Sequence, residues 1–315
     1  MAAPGQERLV AICRWHGAPA CIPEKRTLDL AVVVGIDFIY AVATLALISV
    51  GLAIVFGMMR IINLAHGEFM VMGSYSAAVA VHHHINIWIA ILVIPPVAVA
   101  AIGAIIERLI IRQLYGRMVE TMLGSWGLSL LVVGILTMVF GDITEGVPTP
   151  LPGITIGAYQ ASGYSLFVIA MSIATIFGVY LVLRKSRLGL LARGTMQNAE
   201  MAAALGVDTS KIYAVTFAFG AALAGLAGGI LAPVSGVFPN IGGSYISRAF
   251  ITVIGGGPAA LVGTISASTL FGVINQIATF ASNPVYGEVA LLVAAIILIR
   301  MLPQGITGRY FRGNL

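Results

Sequence analysis

The sequence predicts an all-α, polytopic membrane protein with eight or nine transmembrane helices. Of its 315 residues 59% are hydrophobic and 9% are charged, and the mean hydropathy is +1.00, whereas soluble domains carry about 25% charged residues. Apolar segments recur along the whole chain, many of them near the ~20 residues that a spanning helix needs. No segment alternates apolar and polar residues like the strands of an outer-membrane barrel.

Nine apolar segments are the candidate membrane helices, and the count depends on the short segment 245–256. They cover residues 28–58, 60–81, 85–107, 122–140, 164–183, 212–234, 245–256, 258–280 and 286–302. A polar N-terminal extension, residues 1–27, precedes the membrane domain 28–315 and has no long apolar run of the kind found in a cleavable signal peptide. Its two cysteines, Cys13 and Cys21, match no metal or redox spacing, and we expect two free thiols or an incidental pair.

Basic residues predict the orientation of the chain. They cluster near 108–117, in a longer loop at about 184–211, and at 309–312, and the positive-inside rule assigns all three clusters to the cytoplasm. The Gly- and Pro-rich loop 141–163 is then extracytoplasmic. Three apolar segments before the first cluster would put the basic extension outside. Either the segment 60–81 is broken or re-entrant, or the N-terminus lies outside.

The stretch "IINLAHGEFMVMGSY", residues 61–75, places Asn63, His66 and Glu68 inside an apolar region. Three hypotheses follow: a catalytic base, a site of ion coupling, or polar groups that satisfy an interrupted backbone. Gly67 would permit such an interruption. We expect structural ties at or beside the translocation path, because irregular backbone at membrane depth must be buried in protein or line a cavity.

Two further segments predict special backbone. Residues Gln197–Leu205 are strong helix formers, and Gly206 is a suitable C-cap, which favours either a docking helix or an ordinary linker. In "FITVIGGGPAALVG", residues 250–263, Gly255, Gly256 and Gly257 should end one helix and Pro258 should start the next. This interruption favours a transporter over a simple anchor. The preceding Arg248 is expected as a lone cation at the membrane interface.

Small residues form two rows in the segment 212–234. Small residues at intervals of four let helix backbones approach closely in lipid. We expect this segment to pack tightly within the chain or against a second subunit. The rows are Gly220, Ala224, Gly228 and Ala232, and beside it Ala221, Gly225 and Gly229.

Several function classes find no support. The chain has no phosphate-binding G-x-x-x-x-G-K-[ST] loop, no G-x-S-x-G nucleophile motif and no H-E-x-x-H zinc helix. The run His82-His83-His84 is expected to be a solvated loop. In a membrane protein the net charge of +5 reflects basic residues in cytoplasmic loops and does not indicate nucleic-acid binding. We therefore expect no catalytic, cofactor or metal site in this chain.

Three stretches together resemble one family, the branched-chain amino acid permeases of bacterial ABC importers, which take up hydrophobic amino acids, amides or urea. They are "GLAIVFGMMRIINLAHGEFMVMGSY" (51–75), "GSWGLSLLVVG" (124–134) with "TEGVPTPLPG" (144–153), and "LGLLARGTMQNAEMAAALGVDTSKIYAVTFAFGAALAGLAGGILAP" (188–233). The likeness runs from about residue 30 to the C-terminus. It implies the permease fold of ABC importers and a place in the bacterial inner membrane.

The resemblance also implies partners. These are a second, similar but non-identical permease, two cytoplasmic ATPases that bind ATP and Mg²⁺, and an extracytoplasmic binding protein. Importer permeases often carry E-A-A-x-x-x-G in the coupling helix, and on that match Glu200, Ala203 and Gly206 are the coupling residues. The position of Met201 departs from the pattern.

The substrate stays open at this level between branched-chain or other hydrophobic amino acids and urea or short-chain amides. The family commonly reads G-G-x-G-S-x-x-G near the penultimate helices, and here Ala259 replaces the third glycine. A secondary transporter driven by an ion gradient is the remaining alternative. It would use His66, Glu68 and Glu288 as ionisable groups.

Overall fold

The computed structural model describes residues 24–59, 61–157 and 159–308, and this part of the chain is helical apart from one β-hairpin and short connections. The helices are α1 (Glu24–Met59), α2 (His66–His82), α3 (Ile87–Leu92), α4 (Ile94–Leu109), α5 (Met118–Phe140), α6 (Gly163–Lys185), α7 (Arg187–Gln197), α8 (Ala199–Ala204), α9 (Thr209–Ser235), α10 (Gly242–Gly256), α11 (Ala260–Ala281) and α12 (Pro284–Met301). Strands β1 (Gly153–Ile156) and β2 (Tyr159–Ser162) pair antiparallel. Short 3₁₀ turns occupy Ile111–Leu114 and Pro239–Ile241.

Among the described residues, seven helical segments are long and apolar enough to cross a bilayer. They are α1 from Asp29, α3 with α4 as one span, α5, α6, α9, α11 and α12. The predicted segments 60–81 and 245–256 correspond to α2 and α10, which have only 17 and 15 residues. The predicted all-α polytopic class is therefore confirmed, with two helices shorter than a full span.

Local chemistry shifts several predicted boundaries. The prediction of helix was wrong for the described residues 61–65, which lack helical structure before α2. The predicted segment 85–107 is divided at Val93, because Pro95 and Pro96 at the start of α4 cannot donate backbone hydrogen bonds. Helix α1 begins at Glu24, inside the predicted extension. Cys13 and Cys21 lie outside the described residues.

Helices α1 and α9 form the centre of the bundle, and in each of them 67% of the residues of the most apolar 18-residue segment are buried. Helix α9 packs against α1, α2 and α4. Its two rows of small residues face different neighbours. A Cβ on Gly51 of α1 would lie 2.8 Å from the Gly220 carbonyl oxygen, whereas a Cβ on Gly229 would lie 2.6 Å from that of Ile91. The predicted close packing is confirmed as packing within the chain.

The two ends of the bundle differ in charge. Arg108, Arg117 and Arg184 lie where α4 ends, α5 begins and α6 ends. At the opposite end, the Asp29 carboxylate contacts Gly157 of the β-hairpin. The start of α1 therefore shares the end that holds the loop 141–163. By the positive-inside rule we expect this end to be extracytoplasmic and α1 to start outside, which stays a prediction. The described residues 61–65 are non-helical, as the predicted interruption requires.

Candidate functional site

Asn63 shapes the interrupted backbone before α2. Its side-chain Oδ1 accepts a hydrogen bond from the Ala65 amide at 3.1 Å, and its carbonyl accepts one from the His66 amide at 3.3 Å. An Asn side chain that bonds the backbone two residues later makes an Asx-turn. Asn63 is 2% exposed. It therefore supplies buried partners for the backbone amides where helix α2 begins.

His66 ties the first residue of α2 to the interior of α1. Its Nε2 lies 3.2 Å from the carbonyl oxygen of Ile48, and the side chain is 1% exposed. A carbonyl oxygen only accepts hydrogen bonds, so Nε2 is the protonated nitrogen. Ile48 lies eleven residues before Met59, about 16 Å along the helix. The chain therefore returns well into the bundle between α1 and α2.

Glu68 lies where the N-termini of two short helices meet. A Cβ on Gly67 of α2 would collide with the backbone of Gly242, the first residue of α10. The Glu68 carboxylate lies beside the same glycine, since a Cβ on Gly242 would be 2.5–2.6 Å from its Oε1, Cδ and Oε2 atoms. Helix N-termini carry partial positive charge. The Glu68 carboxyl group therefore places its oxygen atoms beside two helix N-termini, whose partial positive charges favour oxygen acceptors there.

Two serines of α5 complete this region, and neither was singled out from the sequence. Ser129 Oγ donates to Glu68 Oε1 at 3.1 Å, and Ser125 Oγ accepts from the Leu64 amide at 3.0 Å. Residues four apart share one face of a helix, so both serines face the interruption. The signal available in the sequence was a Ser pair at i, i+4 in an otherwise apolar span.

Asn63, His66 and Glu68 are therefore brought together. Asn63 and His66 bond backbone groups, and Glu68 bonds Ser129. Glu68 Oε2 is buried without a hydrogen-bond partner among the described residues. The geometry supports the hypothesis of structural ties. The Asn63 and Ser125 side chains bond backbone amides of the interruption, His66 joins α2 to α1, and Glu68 joins α2 to α5. A role of Asn63, His66 and Glu68 in transport stays a prediction.

The glycine segment forms a second interruption at the basic end. Helix α10 ends at Gly256, and Gly257 has φ +84°, a left-handed conformation that favours glycine. The prediction that Pro258 starts the next helix was wrong: Ala259 is the N-cap, and α11 begins at Ala260. Pro258 is exposed and lies in the connection. The glycines are used for close contact, since a Cβ on Gly256 would lie 2.5 Å from the carbonyl carbon of Gly263.

Arg248 is not the lone cation that the sequence suggested. Its Nη2 bonds Glu288 Oε1, and this ion pair joins α10 to α12. The two residues are 40 positions apart, so local sequence could not reveal the partnership. The His82-His83-His84 run ends α2 in an exposed turn, and no group of three or more potential metal ligands occurs in the described part of the chain.

The loop 184–211 contains two helices, α7 and α8. The prediction of one helix over Gln197–Leu205 was wrong, because Asn198 ends α7 and its Oδ1 caps α8 by accepting from the Met201 amide at 2.9 Å. The glycine cap was predicted correctly. Gly206 has φ +84°, its amide donates to Ala203 and the Val207 amide donates to Ala202. These two bonds form a Schellman motif.

The expected coupling residues lie on the surface of this loop. Glu200, Ala203 and Gly206 are exposed, and so are Met201 and Leu205, at 58% and 78%. Helix α8 contacts α7 and α9, and α7 also contacts α1. The loop is therefore a rigid, capped element attached to the two central helices, with an apolar face that no described residue covers.

The next residue pair fixes the start of α9. Asp208 Oδ1 accepts from the Lys211 amide at 3.1 Å, and Asp208 Oδ2 lies 3.0 Å from Lys211 Nζ. Hydrogen bonding to the Lys211 side chain holds the pKa of the Asp208 carboxyl below its ordinary value. Asp208 is thus a charged N-cap, so the short connection between α8 and α9 is held at both ends.

Membrane-length helices around two interruptions, with a capped helix exposed at the basic end, define a polytopic membrane protein. The chain belongs to the family described as "Branched-chain amino acid transport system / permease component", whose model matches residues 35–302. This confirms the predicted family and the predicted class, an ABC transporter permease with transmembrane helices.

Individual relatives agree with this assignment. The chain is 28% identical over 284 residues to the high-affinity branched-chain amino acid transport system permease protein BraD of Pseudomonas aeruginosa, which covers 85% of this chain and 92% of that protein. LivH of Escherichia coli (strain K12), whose name describes the same kind of permease protein, is 27% identical over 288 residues with the same coverage. A probable LivH of Methanocaldococcus jannaschii is 26% identical over 289 residues, covering 84% and 88%.

The fold is also found in a solved structure. A chain of PsaBC from Streptococcus pneumoniae, determined in complex with Fab, matches with a TM-score of 0.50 at 12% identity, over 88% of this chain and 93% of that chain. At this identity the match shows a shared fold. It confirms the predicted fold class.

Proposed function

We propose that this chain is a transmembrane permease subunit of an ABC importer that takes up branched-chain or other hydrophobic amino acids across the bacterial inner membrane. Family membership over residues 35–302 supports the transport role. The names of the relatives support branched-chain amino acids as the substrate class. The proposed partners are a similar but non-identical permease, two ATPases and an extracytoplasmic binding protein.

One observation carries the proposed coupling to ATP. Helix α8 is capped at both ends yet presents Met201 and Leu205 to its surroundings. Exposed apolar side chains on a rigid helix suit a helix-in-groove contact with another protein. We assign the groove to a partner ATPase, with Glu200, Ala203 and Gly206 at the contact. ATP and Mg²⁺ would bind on that partner, so this chain catalyses no hydrolysis.

The attachment of this loop supports a mechanism. ATP favours the closed ATPase dimer, and the difference in its affinity for closed and open dimers supplies the free energy for a conformational change. Closure would move α8 and α7. Because α7 packs against α1 and α9, the displacement would reach the two central helices and switch the side from which the substrate path is accessible.

Reconstitution of the complete transporter tests this function. Proteoliposomes containing this chain, the second permease, the ATPases and the binding protein should take up labelled leucine only with ATP. Labelled urea and acetamide test the alternative substrates. Uptake of leucine that follows a proton gradient without ATP would instead support a secondary transporter and overturn the proposal.

The coupling contact has its own test. Gly206→Pro and Glu200→Lys should each reduce co-purification of the ATPases by about tenfold. This is the loss of affinity expected when about 1.4 kcal/mol of binding free energy is removed. Glu120→Lys is the matched control, since Glu120 is another exposed acid at the basic end and pairs with Arg117. All three variants should reach the membrane as folded permease. Normal ATPase binding by Gly206→Pro and Glu200→Lys would remove the coupling role.

A further inference from the structure

A cavity of about 280 Å³ lies among α1, α9, α10, α11 and α12. Its lining comes from the extracytoplasmic ends of three of these helices: Leu231–Ser235 at the end of α9, Asn275–Thr279 near the end of α11 and Pro284–Leu291 at the start of α12. Small-molecule sites have volumes of about 300–1,000 Å³. The cavity therefore lies at the small end of ligand sites, and it lies in the half of the bundle that is expected to be extracytoplasmic.

Its lining combines one ion pair with an apolar wall. Arg248 and Glu288 contribute the charges, and Leu45, Ile48 and Leu291 contribute apolar surface. Arg248 uses Nη2 for Glu288, while its buried Nε has no hydrogen-bond partner among the described residues. Tyr245, held by a 2.7 Å bond to Ser235 Oγ, borders the same space. The Arg248 guanidinium thus borders, as one member of an ion pair, a cavity whose other wall is apolar.

Exposure of the ion pair to lipid would be energetically unfavourable. The Arg248 and Glu288 side chains are 33% and 51% exposed, although both belong to helices of the membrane bundle. Charged residues in membrane segments face the bundle interior or water-filled cavities, and they mark substrate paths. The exposed part of this pair therefore faces an aqueous space, and the cavity is that space.

We propose that the cavity binds the charged head group of a hydrophobic α-amino acid, with Arg248 holding the carboxylate, Glu288 holding the ammonium group and the apolar wall contacting the side chain. This proposal rests on the proposed function and adds the site at which the permease itself recognises its substrate. The empty cavity is neutral because Arg248 and Glu288 pair with each other. A bound zwitterion replaces this pair with two new ones, since its carboxylate pairs with Arg248 and its ammonium group with Glu288. The occupied cavity is therefore neutral as well.

The need to keep the cavity electrically neutral determines the ligand class. A carboxylic acid or an amine alone would engage one member of the pair and leave the other charge without a partner, which is costly in a half-buried site. Urea and amides carry no charges that could replace either partner. The site therefore distinguishes hydrophobic amino acids from the amide and urea substrates of related permeases.

The floor of the cavity joins it to the interrupted helix. Ile48 lines the cavity, and the carbonyl oxygen of the same residue accepts the hydrogen bond from His66 Nε2 at 3.2 Å. The tie at the start of α2 thus lies directly behind the floor of the proposed site. A shift of α1 by the coupling loop would change both the floor and this tie.

Binding can be measured on the assembled permease–ATPase complex in detergent, without the binding protein. Labelled leucine should bind, and unlabelled leucine should displace it, whereas isopentylamine, 4-methylpentanoate, urea and acetamide should not. The neutral double variant R248Q/E288Q should weaken leucine binding and uptake by about tenfold or more, as expected for the loss of charge-assisted hydrogen bonds. Arg248→Lys keeps the charge and should retain part of the binding.

Arg300→Gln is the matched control, because Arg300 is an exposed cation in the last turn of α12, away from the cavity. Leucine binding, uptake and ATP hydrolysis should all stay normal in Arg300→Gln. Unchanged leucine binding by R248Q/E288Q, in a complex whose wild type transports leucine, would overturn the site and leave the proposed function intact. Displacement of leucine by isopentylamine or 4-methylpentanoate would also overturn it. A wild-type complex that transports urea but not leucine would overturn both proposals.

Discussion

The bundle interrupts its helices at two places and satisfies the interrupted backbone by different means. At the first, before α2, the partners are side chains: Asn63 and Ser125 bond backbone amides, and His66 bonds the carbonyl oxygen of Ile48. At the second, after α10, the partners are mostly backbone. The Ile306 and Thr307 amides donate to the carbonyl oxygens of Gly255 and Gly256 at 2.9 and 3.1 Å.

The difference follows from what lies nearby. The segment 61–65 returns between packed helices, where neighbouring backbone groups are already bonded within their own helices. The partner that a neighbouring helix supplies is therefore a side chain, that of Ser125. The segment 257–259 lies at the basic end beside the irregular residues after α12, whose amides are free to bond. A buried interruption therefore appears in the sequence as polar residues only where no free backbone is within reach.

The strongest perturbation of the first interruption is steric. Gly67→Ala should lower the free energy of unfolding by about 3 kcal/mol, because the new Cβ would collide with the backbone of Gly242 and force α2 and α10 apart. The measurement is the thermal unfolding midpoint of the purified complex in detergent. Gly243→Ala is the control, since a Cβ there has no atom within 4 Å. Equal midpoints for both variants would contradict the close meeting of the two N-termini.

Removal of the side-chain tie should have the next largest effect. His66→Ala should destabilise the permease by about 2 kcal/mol, since it removes a buried hydrogen bond and leaves a cavity beside Ile48. It should also reduce transport per assembled complex through poorer gating. His66→Gln retains an N–H donor and should recover part of both losses.

His83→Ala supplies the comparison, because His83 lies exposed at the opposite end of α2. Transport assays and unfolding midpoints of the three variants form one series. If His66→Ala assembled and transported like His83→Ala, the polar residues before α2 would need a different explanation. A loss of transport with normal stability, not rescued by Gln, would favour ion coupling.

Much of the architecture was predictable because the bilayer restricts the choices. Backbone polar groups must be satisfied inside lipid, so long apolar segments become helices. The rows of small residues in α9 likewise predicted close packing, and the structure adds which neighbours each row meets. The glycine cap at Gly206 was predictable because left-handed backbone at a helix C-terminus favours glycine.

The remaining features depend on partners that are distant in sequence. Ser129 and Glu68 are 61 residues apart, and Arg248 and Glu288 are 40 apart; no local pattern specifies either contact. The break at Asn198 was missed for another reason. The helix propensity of its neighbours favoured one continuous helix, but an Asn side chain that caps the following turn outweighed that preference.

The second interruption should be the more tolerant of side-chain changes, and Thr307 tests this. Its Oγ1 donates to the Gly256 carbonyl oxygen at 2.6 Å and accepts from the Ala259 amide at 3.3 Å. Thr307→Val keeps the shape and removes both bonds, but Gly256 retains its bond from the Thr307 amide. The expected loss is therefore only about 1 kcal/mol, mainly from the Ala259 amide.

The control for this variant is Thr269→Val, because Thr269 is exposed and its hydroxyl bonds a carbonyl oxygen of its own helix, that of Ile265. It should leave the unfolding midpoint almost unchanged. A loss at Thr307→Val as large as that at His66→Ala would show that side chains hold both interruptions. The contrast between a side-chain tie inside the bundle and a backbone tie at its basic end would then be wrong.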